Sequence, residues 1–121
     1  MAAIRPAPGR AASAVISGTV SYRERIALPK GARVVVKLLD VSLADAPSRT
    51  LASTTVDPGA GPPIPYRLIF DRAGIRPRHS YALQAEIRVD GRLWFITTSR
   101  HTVFGDGPDQ TEIVVERVAG R

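Results

Sequence analysis

The clearest strand signals in the sequence lie between Ser80 and Arg100, SYALQAEIRVDGRLWFITTSR. From Ser80 to Asp90 apolar and polar residues alternate, so that apolar side chains face one way and polar side chains the other, which is typical of a half-buried β-strand. Asp90-Gly91 then separates this run from a second one, Leu93–Arg100. An Asp-Gly pair between two such runs is a strong hairpin signal, so the stretch predicts two antiparallel strands joined by a tight turn.

Five further strand-like runs lie outside this hairpin: Ala14–Tyr22, Arg33–Val41, Thr50–Val56, Ile64–Phe70 and Thr111–Val118. Arg33–Val41 is the most apolar, which predicts a central strand covered on both faces. The threonine-rich run Thr50–Val56 is an edge-strand candidate. Gly18, inside the first run, is expected at a bulge or at a point of close packing.

Seven short strands without a convincing helix or an internal repeat predict an all-β fold. We expect a seven-stranded antiparallel β-sandwich, immunoglobulin-like or transthyretin-like, with a small barrel as the alternative. A single domain is expected over residues 14–119, behind a flexible tail over residues 1–13 that is rich in Ala, Pro and Gly. Tyr81 follows a loop and begins a strand, so it is either a tyrosine corner, with its hydroxyl bonded to upstream backbone, or a plain core tyrosine.

Composition restricts the function classes. The chain has 121 residues, a formal net charge of +6 and no cysteine, which excludes disulfides, thiolate metal sites and cysteine nucleophiles in this sequence. The positive charge comes mostly from arginines that are scattered singly along the chain. Because a nucleic-acid footprint usually clusters its basic residues, the pattern favours a solvated arginine-rich surface over nucleic-acid binding.

No apolar run approaches the roughly 20 residues that span a bilayer. The first thirteen residues hold Arg5 and Arg10 but no apolar segment behind them, so they do not resemble a secretory signal peptide. Two localisations stay open: the cytoplasm, or the envelope after removal of a signal. Membrane attachment is expected only if an anchor has been removed.

No residue pattern indicates catalysis, a cofactor or a metal. His79 and His101 are isolated at strand edges and are expected on the surface. Three carboxylates that stand out, Asp40, Asp45 and Asp57, adjoin turn-forming residues and are expected to bond nearby backbone. The Gly105–Asp109 loop lacks the alternating ligands of an EF-hand, and Ser42 and Ser80 have no recognisable base. We therefore expect a non-enzymatic protein without a cofactor.

Two surfaces are candidates for binding. Trp94 and Phe95 are neighbours on a strand and are expected on opposite faces, one in the core and the other either buried as well or exposed. A partner-binding surface would then be an uncovered apolar face, either the one with Trp94 and Ile96 or the one with Val35 and Leu39. The alternative is a basic sheet face for an anionic ligand, which requires convergence of Lys37, Arg67, Arg88, Arg92 and Arg100.

Several motifs together resemble one known family. They are VSYRERIALPKGA at Val20–Ala32, VVVKLLDVSLADAP at Val34–Pro47, PIPY at Pro63–Tyr66, and the single residues Tyr81 and Gly91. The sequence is similar to the YbaY-type lipoproteins, with which the secretin-pilot protein YscW is grouped, over residues 15–118.

The resemblance implies a small β-sandwich in a Gram-negative envelope and, for pilot proteins, binding of a secretin's C-terminal segment. The usual lipobox cysteine is not found in this sequence. The favoured hypothesis is a protein that binds a polypeptide segment, either by adding a strand at an exposed sheet edge or by holding a helix in an apolar groove. Anion binding through the basic face and a purely structural role are the alternatives.

Overall fold

The computed structural model describes residues 13–43 and 47–118. Within these ranges the chain forms nine strands and one 3₁₀ turn: β1 Ser13–Ser21, β2 Ala32–Asp40, β3 Arg49–Val56, β4 Ile64–Asp71, the turn Arg72–Gly74, β5 Tyr81–Val89, β6 Arg92–Ile96, β7 His101–Val103, β8 Glu112–Val114 and β9 Glu116–Arg117. Of the predicted tail only Ser13 lies in the described part, where it opens β1. None of the described residues form a helix long and apolar enough to cross a membrane.

The strands form two sheets that enclose one core, which confirms the predicted all-β sandwich. The smaller sheet has the order β4-β1-β8, and the larger has the order β3-β2-β5-β6-β9 with β7 beside β5. Alternate residues of β4 and β5 are buried between the sheets, as the period of two predicts. Fully buried side chains from both sheets meet there, including Leu38, Leu68, Ile87 and Phe95.

The predicted hairpin is present, with an irregularity in β6. Asp90 and Gly91 both adopt positive φ, 50° and 84°, as a two-residue type I′ turn requires. Ile87 lies opposite Phe95, but Arg88 lies opposite Leu93, so Trp94 is the extra residue of a β-bulge.

Because of this bulge, the prediction that Trp94 and Phe95 occupy opposite faces is wrong. Side chains alternate only while the pleat is regular, and an inserted residue breaks the alternation. Phe95 is fully buried, whereas Trp94 is half-buried and packs against the same core. The guanidinium of Arg117 lies 4.9 Å from the Trp94 ring centroid and 5.6 Å from that of Phe95, so one cation covers both rings.

The prediction of seven strands, all antiparallel, is wrong in the number of strands and in the direction of one pairing. The three-residue strand β7 was missed because so short a run carries no measurable periodicity. The run predicted as one strand over Thr111–Val118 is two strands, β8 and β9, which belong to different sheets with Val115 between them. In addition, β8 pairs with β1 in parallel.

The expected positions of β2 and β3 are confirmed, since β2 is central and β3 is an edge strand. The expected burial of β2 on both faces is wrong, because outward-facing Val35 and Lys37 are only half-buried. The tyrosine corner is confirmed: the Tyr81 hydroxyl accepts from the backbone N–H of Arg76 at 2.8 Å and donates to the carbonyl of Gly74 at 3.4 Å.

Candidate peptide-binding groove

The central strand of the smaller sheet, β1, has one edge that is only partly covered. On one side β4 pairs with it from Ser13 to Val20. On the other side β8 pairs only with residues 19–21. Among the described residues no strand pairs with this second edge along residues 14–17, so a short sheet edge is left open there.

The pleat fixes which backbone groups face the open edge. On that side Thr19 donates its N–H to the carbonyl of Thr111, and the Ser21 carbonyl accepts from Val115. Because N–H and C=O groups alternate in direction along a strand, Val15 and Ser17 direct theirs to the same side. These groups have no backbone partner within residues 13–43 and 47–118.

A groove of about 480 Å³ runs beside this edge, within the range of roughly 300–1,000 Å³ that is typical of ligand sites. Most of its lining is apolar and comes from β1, from the end of β4 and the turn after it, and from the loop between β7 and β8. The lining residues are Ala14, Val15, Ile16, Ser17, Phe70, Arg72, Ile75, Phe104, Asp109 and Thr111.

The far wall of the groove is the loop that follows β7. Phe104 adopts φ of 62°, and its backbone N–H donates to Asp109 Oδ1 at 2.8 Å, which closes the loop on itself. The Phe104 ring lies 5.4 Å from the ring of Phe70 and 5.9 Å from that of Tyr81, between centroids. The ring is still 37% exposed, so it presents an apolar surface that is already positioned.

One end of the groove is closed where the Thr111 backbone crosses β1 at Gly18. A Cβ on Gly18 would overlap with the Thr111 carbonyl oxygen and lie 2.8 Å from the Tyr66 hydroxyl oxygen. The Tyr66 hydroxyl donates to that same carbonyl at 2.8 Å. Burial raises the pKa of Tyr66 to about 12, so this donor keeps its proton across the physiological range. The prediction of close packing at Gly18 is confirmed.

The other end of the groove carries a positive charge. The Asp71 carboxylate caps the 3₁₀ turn by accepting from the N–H of Ala73 at 2.9 Å. This cap places Arg72, whose Nη2 lies 3.5 Å from the Ser13 carbonyl oxygen. The groove is therefore an apolar channel with an arginine at its open end and a backbone stop at the other, in a chain of net charge +6.

The residues predicted to bind a partner lie elsewhere, on the larger sheet. Val35 and Ile96 both lie opposite Glu86 there, and both are half-buried. Leu39 is buried at 9% exposure, and Trp94 belongs to the bulge described above. The role of these four residues in partner binding stays a prediction.

The basic residues do not converge as the alternative hypothesis requires. Lys37 and Arg88 share the outer face of the larger sheet, where Arg88 Nε contacts Glu86 Oε1 at 3.1 Å. Arg67 lies on the outer face of the smaller sheet, opposite Ser17. Arg92 pairs with core-facing Val89, and Arg100 is exposed in the loop before β7. A single basic face made of these five residues is not formed.

Sequence reasoning missed a polar cluster at the end of β2. The Asp40 carboxylate accepts from the Ser42 hydroxyl at 2.6 Å through Oδ1, and its Oδ2 lies 2.7 Å from His79 Nδ1. The Ser42 oxygen in turn accepts the N–H of Ser80 at 2.8 Å. The Ser42 hydrogen bond first, and then His79, lower the pKa of Asp40 to about 2.

This cluster joins β2 to the start of β5 and is not arranged as a nucleophile with its base. The Ser42 hydroxyl donates to the carboxylate, and no hydrogen bond joins it to the His79 ring. The expected surface position holds for His79 but is wrong for His101, which is 7% exposed because it lies opposite core residue Leu83.

The turn role predicted for the aspartates is confirmed at Asp40 and at Asp57, which accepts the N–H of Gly59 at 2.9 Å. Asp45 falls outside the described residues. Within the described ranges no three His, Asp or Glu side chains come close enough together to hold a metal ion.

Comparisons with known proteins agree on one family. A family model described as the type III secretion system lipoprotein chaperone YscW matches residues 11–115. The chain is 38% identical over 101 residues to the uncharacterized lipoprotein YbaY of Escherichia coli strain K12. That match covers 83% of this chain and 53% of YbaY, so the chain spans about half the length of this relative.

A solved structure resembles most of this chain. It is an alternative pilotin from the type II secretion system of Vibrio cholerae, with a TM-score of 0.82 and 40% sequence identity. The similarity covers 89% of this chain and 99% of that pilotin.

Proposed function

The chain belongs to the YscW family of type III secretion system lipoprotein chaperones, and we propose that it is a pilotin-like chaperone that binds a polypeptide segment of a secretin. The observation that carries the proposal is the apolar groove beside the open edge of β1. A chaperone needs a surface that exchanges solvent for a partner's apolar side chains, and this groove provides one.

The place of action that fits this role is the cell envelope, because the family and the YbaY relative are named as lipoproteins and the family is named for a secretion system. Segment binding also requires no catalytic group. It requires a preformed apolar surface, and the Phe104 loop provides one that is held by its own hydrogen bond and by ring packing.

The direct test is binding of the full chain to the recombinant C-terminal region of the secretin from the same genome, measured by isothermal titration calorimetry. We expect saturable binding. Phe104→Ala should weaken the Kd roughly tenfold because it removes a groove wall that buries apolar surface on binding. Ile69→Ala, which truncates a 64% exposed side chain on the outer face of the smaller sheet, is the matched control.

No binding of the secretin region by the wild-type chain would contradict the proposal. A second variant, Ile96→Ala, tests the predicted apolar face with Trp94 and Ile96. Weaker binding in this variant but not in Phe104→Ala would move the site from the groove to that face, provided that circular dichroism shows all variants to be folded.

A further inference from the structure

We propose that the partner binds as an extended strand added to the open edge of β1, beside residues 14–17. The inference rests on the proposed function and specifies how the groove is used. The occupant is an extended secretin segment with apolar side chains at alternate positions and at least one carboxylate.

Backbone hydrogen bonding is the first argument for an added strand. Val15 and Ser17 direct their N–H and C=O groups toward the groove, and within the described residues no backbone group pairs with them. A bound segment that covers these groups must replace their water hydrogen bonds, since buried backbone groups without partners cost free energy. An extended chain supplies matching N–H and C=O groups, whereas a helix uses its own internally.

The lining of the groove is the second argument, because it fits an alternating segment. Ile16 is buried on the inner side of β1, whereas Val15 is 45% exposed on its outer side. A strand added at this edge would place every second side chain inward, toward Phe70, Ile75 and Phe104. The open edge accepts about four residues before Thr111 stops it, so one or two inward apolar side chains are expected.

The charge of the groove favours a bound segment that carries negative charge. Arg72 lies at the open end of the groove, and the chain carries a net charge of +6. Among the lining residues that the structure describes, Asp109 is the one carboxylate, and it already accepts the N–H of Phe104. A carboxylate on the segment at the end near Ser13 would meet the Arg72 guanidinium, so we expect binding to weaken as salt is added.

The experiment compares two substitutions at Val15 in the full chain. Val15→Pro removes the N–H that faces the open edge and leaves the β1–β4 ladder intact, because that N–H points away from β4. Val15→Thr keeps both the N–H and the β-branched shape. We expect the Kd for the secretin region to rise roughly tenfold in Val15→Pro and to stay within about twofold in Val15→Thr.

A second measurement keeps the proposal falsifiable if Val15→Pro folds poorly. Amide hydrogen exchange of the wild-type chain, followed by NMR, should slow at Val15 and Ser17 when the secretin region is added. Wild-type binding with no slowing there, or with full affinity in a folded Val15→Pro variant, would overturn strand addition and leave secretin binding standing.

Two further outcomes would also overturn strand addition, each for a different reason. If the wild-type chain does not bind the secretin region at all, the proposed function fails, and strand addition fails with it. If the two amides exchange slowly before the secretin region is added, and sedimentation shows a doubled mass, the edge binds a second copy of this chain and the proposal is wrong.

Discussion

At the scale of single residues, the absence of a side chain at Gly18 lets the backbone of Thr111 cross β1. The Tyr66 hydroxyl and the N–H of Thr19 both bind the Thr111 carbonyl, so three separate parts of the chain meet at this oxygen. Gly18→Ala would push a Cβ into it. The crossing that closes the groove therefore depends on one residue with no Cβ.

We expect Gly18→Ala to lower the free energy of unfolding by about 1–3 kcal/mol, since the overlap is with backbone that cannot rotate away. Urea unfolding measures the loss. The control is Gly74→Ala, because a Cβ at Gly74 would meet nothing within 4 Å. Equal stability of Gly18→Ala and the wild type would show that the crossing can shift without cost.

Asp40 makes the acid stability of the protein depend on pH in a defined window. Its pKa is about 2 in the folded chain, against an ordinary value of 3.8, so the folded state holds the ionised form more tightly than the unfolded state does. The resulting stabilisation is fully present above pH ~4 and is lost as the pH falls toward 2.

Asp40→Asn should remove the stabilisation that the ionised Asp40 carboxylate provides. The free energy of unfolding should therefore fall less between pH 4 and pH 2 than it does in the wild type. Urea unfolding at a series of pH values measures both slopes. Asp106→Asn controls for the loss of one exposed carboxylate. If the free energy of unfolding changes with pH equally in the wild type and in Asp40→Asn, Asp40 is not the source of this acid dependence.

At the scale of elements, the β5–β6 hairpin depends on the backbone conformation of its turn. Gly91 has φ of 84°, and a Cβ there would meet nothing within 4 Å, so the cost of a side chain is conformational and not steric. Gly91→Ala should destabilise the protein by about 1 kcal/mol. Gly91→Asn should lose less stability than Gly91→Ala, because asparagine tolerates positive φ. Thermal unfolding of both variants tests this order, and a larger loss in Gly91→Asn would contradict it.

The same hairpin shows how much of the fold could be predicted from the sequence. Alternation and the Asp90-Gly91 turn are local signals, so β5, the turn and the start of β6 were predicted correctly. The bulge at Trp94 was not predicted, because an inserted residue depends on how β6 pairs with β5. The Arg117 guanidinium that covers the Trp94 ring comes from more than twenty positions later in the sequence.

The groove could not be predicted for the same reason. Its walls come from residues 14–17, from the end of β4, and from the loop around Phe104, which are far apart in the sequence. No local pattern says that β8 pairs only with the last residues of β1 and so leaves an edge open. The cluster of Asp40 with His79 is non-local too, since the pairing of β2 with β5 brings the two residues together.

At the scale of the whole molecule, the segment that contains β8 and β9 connects the two sheets. β8 pairs with β1 in the smaller sheet, and β9 pairs with β6 in the larger one. Between them Val115 is buried at 1% exposure and donates its N–H to the Ser21 carbonyl at 2.8 Å. Because one short segment belongs to both sheets, the sheets should unfold together.

Substitutions at Val115 and at its neighbour Val114 test whether this segment couples the two sheets. Val115→Ala should cost about 2 kcal/mol, since it opens a cavity where the segment crosses the core. Val114→Ala should change stability by less than about 0.5 kcal/mol, since Val114 is 38% exposed. In urea unfolding we expect a lower midpoint for Val115→Ala with an unchanged slope, as a single cooperative transition requires. A second transition or a reduced slope in Val115→Ala would show instead that the two sheets unfold separately.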